Sequence, residues 1–166
     1  MNEMRTMEIL KAAILLERRG KAFYLKVARH AENKDIRVIF EIMVEEEDDH
    51  IRILNEQFRH FTQTNIFKSI ELSNRKNNTA IDILSEKIKR NISAASFEAA
   101  AIAAAIDMEN RAIAIYTEQA DAATDSEERI FYRWLAKWEK GHRQMLIDLD
   151  RELKEKVWND QNFWPQ

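Results

Sequence analysis

The 166-residue sequence has two glycines (Gly20 and Gly141), one proline (Pro165) and no cysteine. So few helix breakers in a chain rich in Ala, Glu, Lys, Leu and Ile dictate an all-α protein, and the absence of cysteine excludes disulfides, zinc–thiolate sites, iron–sulfur clusters and a thiol nucleophile. A formal charge of −3 offers nucleic acid no basic field, and no apolar run is long enough for a membrane span or shaped like a signal peptide, so a soluble cytoplasmic protein is expected.

In chain order, the first predicted helix covers about residues 5–31 and the second about 34–61, with a short joint at Asn33 that makes them an antiparallel hairpin. A polar crossover follows at 62–95, with room for a short helix at "AIDILSEKIKR" (80–90). The third helix spans about 96–121, with Ser96 as its N-cap. The fourth spans about 126–157, behind Thr124 and Glu127 at capping-box spacing. The joint at Asp125 makes these two a second hairpin. Two hairpins linked by one long crossover define a four-helix bundle of ferritin-like connectivity over residues 1–158. The tail, 159–166, is expected to be irregular, with Phe163 and Trp164 free to pack on the bundle or a neighbour.

The two hairpins are copies of one another. "ERRGKAFY" (17–24) and "ENRAIAIY" (109–116) each place a Tyr seven residues after a Glu, and "EDDH" (47–50) and "EKGH" (139–142) are both Glu-x-x-His. The separations from 17 to 109, 24 to 116, 47 to 139 and 50 to 142 are all 92, the mark of an internal duplication. The same shift sorts the acidic run "EEEDDH" at 45–50. Only Glu47 and His50 land on their own residue type, so the other acids are expected to be surface charge.

Helical periodicity puts Glu17, Glu47, His50, Glu109, Glu139 and His142 in the middle of apolar stripes such as Leu10, Ala13, Tyr24 and Val27 on the first helix. Each of the four Glu lies 15 residues from its hairpin turn, roughly 22 Å at the rise of an α-helix, so all six residues share one layer. Four buried carboxylates without compensation would repel one another at a cost on the order of several kcal/mol each. Two divalent cations balance them, and oxygen and imidazole donors without thiolate favour iron or manganese over structural zinc.

This constellation resembles the ferritin-like di-iron carboxylate superfamily, and within it the rubrerythrin-like branch, over roughly 5–60 and 96–155. The resemblance implies two iron ions, with manganese or a mixed pair as other fillings. Glu47 and Glu139 would bridge them, with Glu17, Glu109, His50 and His142 each bound to one ion. Tyr24 and Tyr116 would stand close enough to hydrogen-bond those ligands. It further implies reduction of hydrogen peroxide or oxygen, an external electron donor such as a rubredoxin-like protein, and a homo-oligomer, of which a dimer is favoured. Rubrerythrins carry a further Glu where this chain has Ala112, and bacterioferritins bind haem through a Met where it has Asp48, so no haem is expected. A ferritin-like ferroxidase and storage subunit, and a metal-free helical interaction module, are the competing readings.

Other residues have plainer roles. Trp134 and Trp138 near the site are expected to pack rather than carry electrons, and His30 and His60, without repeat partners, to lie at the surface. The run "AAAIAAAI" (99–106) permits close helix approach, and Gly20 either opens space beside the metals or eases packing.

Overall fold

The computed structural model describes residues 3–70 and 96–159. The short helix expected at 80–90, most of the crossover, Phe163 and Trp164 fall outside the described residues, and so does the side chain of Ser96. Four helices and no strand make up the described chain: α1 Glu3–His30, α2 Lys34–Thr64, α3 Ser96–Ala122 and α4 Ser126–Asn159. α2 runs three residues beyond its predicted end. It stops at Asn65, whose φ of 55° is left-handed and whose N–H bonds the Phe61 carbonyl, the usual αL closure.

Both hairpin turns are built the same way, 92 residues apart. The Asn33 side chain accepts from the N–H groups of Asp35 and Ile36 at 2.9 and 3.1 Å, covering donors that the first turn of a helix leaves open. In the second hairpin the equivalent residue, Asp125, accepts from Glu128 N–H at 2.8 Å. Asp125 is therefore the cap, and the capping box expected from Thr124 to Glu127 does not start the helix. Arg37 donates to the Ala31 carbonyl and Arg129 to the Ala123 carbonyl, each at 2.7 Å, so each α-helical end is tied to the helix that follows.

α1 packs chiefly on α2 and α3 on α4, while α1 and α3 touch only sparsely. The hairpins lie with opposite ends together, because the buried Glu98 carboxylate near the start of α3 accepts from the backbone N–H groups of Glu32 and Asn33 at 2.9 and 3.3 Å. Two apolar clusters result. One gathers Val27, Ile36, Phe40, Met43, Ile102 and Leu146 near the first turn. The other gathers Leu10, Leu54, Phe61, Phe131, Tyr132 and Leu135 near the second. Fully burying a side chain of this size stabilises the fold by about 1.5–3 kcal/mol. Between the two clusters lies a layer of buried acids and imidazoles. No described helix is long and apolar enough to cross a membrane.

Candidate metal centre

All six candidate ligands occupy that layer, and none is more than 3% exposed. Their side chains form two overlapping groups, Glu17 with Glu47 and His50, and Glu47 with Glu109, Glu139 and His142. Within each group the potential donor atoms lie within 4.8 Å of one another. Glu47 belongs to both, which is where a carboxylate shared between two ions has to stand. Glu139 also reaches both sides, with one oxygen 3.0 Å from His50 Nδ1 and the other 3.1 Å from His142 Nδ1.

Both imidazoles turn Nδ1 inward. His50 Nδ1 is 3.2 Å from Glu17 and His142 Nδ1 is 3.6 Å from Glu109, matching contacts in the two copies. The tyrosines cross between the hairpins. Tyr24 on α1 donates to Glu109 on α3, and Tyr116 on α3 donates to Glu17 on α1.

Without a cation the layer is electrostatically strained. Burial and the neighbouring charge of Glu139 push the Glu109 carboxyl up to about 7, and burial with Glu17 pushes Glu47 well above the carboxylate range. Burial alone would favour neutral imidazoles, yet the surrounding carboxylates outweigh it and hold His50 and His142 well above their usual value. Glu139 goes the other way: burial opposes its charge, but His50 and His142 overcome that and hold it well below the usual range. Protons thus stand in for part of the positive charge the carboxylates require.

The acidic run holds a surprise. Glu45, Asp48 and Asp49 are exposed as expected, but Glu46 is buried and pairs with Nε2 of His142, the ring nitrogen that faces away from the cluster. The duplication hid it, since the residue equivalent to Glu46 is Trp138. That indole stands perpendicular to the His50 ring with centroids 4.9 Å apart. Trp134 packs against Trp138, while His30 is exposed and His60 partly buried.

The residues fit a pair of metal ions. Glu47 Oε2 is buried without a hydrogen-bond donor among the described residues, which is costly for a carboxylate oxygen unless a cation takes the place of one. The donor set is oxygen and imidazole throughout. A cavity of about 300 Å³ between α1 and α3 reaches Glu17, Glu47, Glu109 and Glu139. Its walls are kept open by the equivalent small residues Gly20 and Ala112, and Arg19 and Arg111 border it.

Bundle and site together define a helical carboxylate protein whose core is shaped for two metal ions. The rubrerythrin family model matches residues 8–156, and the chain belongs to the rubrerythrin family. No curated protein and no solved structure matches it significantly.

Proposed function

We propose that this protein is a non-haem di-iron oxidoreductase that reduces hydrogen peroxide to water and works as a cytoplasmic homodimer. The observation that carries the reading is the six-residue cluster of four carboxylates and two imidazoles, buried between two apolar layers and reached by one cavity. Glu17 and His50 would hold one ion, Glu109 and His142 the other, and Glu47 and Glu139 would span the two. The chemistry that iron supplies there is a pair of one-electron oxidations.

Each chain residue then has a physical task. The tyrosines clamp Glu17 and Glu109 from the opposite hairpin, which fixes how those carboxylates present their free oxygens. Both hydroxyls are held well above the usual tyrosine value, by burial first and by the facing glutamates next, so they stay protonated and donate. Gly20 and Ala112 leave room for a small oxidant to reach the inner face of the cluster. One peroxide needs two protons and two electrons to become two waters. The protons come through the cavity from solvent. The 166 residues hold no thiolate centre, so the electrons reach the site from a rubredoxin-like donor outside them.

The test is the number of ferrous ions bound per subunit without oxygen, followed by the peroxide consumed per bound pair. Two irons per subunit, one peroxide consumed per two irons, and loss of both in Glu47→Ala are expected. Uptake far above two irons in air would replace this reading with iron storage, and no specific iron would end it.

A further inference from the structure

We propose that the two metal positions are inequivalent: the ion held by Glu109 and His142 binds first and more tightly, because Glu46 braces Nε2 of His142 while Nε2 of His50 has no hydrogen-bond partner among the described residues. This rests on the di-metal reading above. The duplication supplies an internal control, since the two half-sites match at Glu17 and Glu109, at Glu47 and Glu139, and at Tyr24 and Tyr116. At positions 46 and 138 they part. Each residue precedes the Glu of its Glu-x-x-His and contacts the histidine of the other hairpin, one as a carboxylate and the other as an indole.

The difference acts through the imidazole. Binding a metal with Nδ1 leaves the hydrogen on Nε2. For His142 that hydrogen meets the Glu46 carboxylate, which fixes the ring's orientation and tautomer and makes Nδ1 a stronger donor. For His50 it meets no hydrogen-bond acceptor among the described residues. His50 is fully buried, and its neighbour there is the perpendicular Trp138 ring, which offers no lone-pair acceptor. Removing an outer carboxylate of this kind weakens a metal by about 10–100-fold.

Titrating the metal-free protein with Co²⁺, followed by absorption and calorimetry, tests the proposal without turnover. Two resolved steps are expected, and Glu46→Gln should weaken the tighter one by about 10–100-fold, leaving the other nearly unchanged. Trp138→Gln offers His50 a carbonyl acceptor and should tighten the weaker step. Circular dichroism of each metal-free variant confirms that the helices are intact before its affinities are compared. Two ions of equal affinity, or a Glu46→Gln protein that loses both steps alike or neither, overturn the inequivalence and leave the di-metal reading in place. Absence of Co²⁺ binding in the unsubstituted protein overturns both.

Discussion

Tyr116 on α3 donates its hydroxyl hydrogen to Glu17 on α1, and that bond ties one hairpin to the other inside the polar layer. Tyr24 and Glu109 repeat it in the opposite sense. Since α1 and α3 otherwise meet sparsely, these two bonds are their link in the metal layer, beside the Glu46–His142 and Glu139–His50 contacts between α2 and α4. Hydrogen bonds to charged acceptors contribute about 1.5–3 kcal/mol, so Tyr116→Phe should lower stability by that amount and Tyr24→Phe similarly. At about 2–4 °C per kcal/mol for a domain of this size, each loss is visible in a thermal melt. A Tyr116→Phe protein that melts with the unsubstituted one would show that the bond holds nothing.

The metal-free protein should lose stability as pH rises from 5 to 8. Glu109 binds its proton more tightly folded, at about 7, than at its ordinary 4.5, so its contribution is present at low pH and lost as pH climbs through 7. Glu47 has the same sign, and so do His50 and His142 above their ordinary 6.5. Glu139, shifted down, stabilises above 4.5 and gives way only at still lower pH, outside this window. The shift of Glu109 from 4.5 to about 7 alone contributes on the order of 3 kcal/mol. Bound metal displaces these protons, so the stabilisation by Co²⁺ should grow over the same interval. Melting curves at pH 5 and 8, with and without Co²⁺, check both signs; a metal-free midpoint that rises with pH contradicts the assignment.

The two glycines should separate stability from access. Both sit inside helices, where Gly→Ala gains about 0.8–1 kcal/mol of propensity. At Gly20 the added methyl would lie 3.6 Å from the Glu47 carboxyl, an ordinary contact that fills part of the cavity. Gly141 has nothing within 4 Å. Gly20→Ala is therefore expected to melt higher and consume peroxide more slowly, while Gly141→Ala melts higher at unchanged rate. Equal rates in the two variants would remove the cavity from the oxidant's path.

Glu98 offers a purely structural contrast. Its buried carboxylate accepts two backbone N–H groups at the first turn, and Glu98→Ala leaves both without a side-chain acceptor. A loss of about 1–3 kcal/mol is expected. Metal stoichiometry should stay at the unsubstituted value, as measured by bound Co²⁺ per subunit; a drop would tie this turn to the site.

The helices and the six converging residues were legible because each leaves a periodic trace, and the duplication doubled it. Glu46 was lost to the same filter that selected Glu47, since demanding one residue type in both copies discards a position where the copies differ. Helical spacing alone could have recovered it: Ile39, Met43, Glu46, His50, Ile53 and Gln57 recur at steps of three and four, and all are buried. The cap at Asp125 is masked by the capping-box spacing of Thr124 and Glu127, although Asp125 stands at the second joint as its equivalent Asn33 does at the first. The bonds from Arg37 and Arg129 to preceding carbonyls depend on how each turn reverses, which local sequence spacing does not encode.

Each hairpin closes its own turn with its own residues, Asn33 with Arg37 in one and Asp125 with Arg129 in the other. The first turn also takes Glu98 from the other hairpin, but the tyrosine–glutamate exchange is symmetric, so two identical copies facing each other would make it in both directions. In such a symmetric pair every position occurs twice and cannot differ from itself. Within one chain that restriction is lifted, and an acid at Glu46 opposite an indole at Trp138 is a difference that two identical copies could not have.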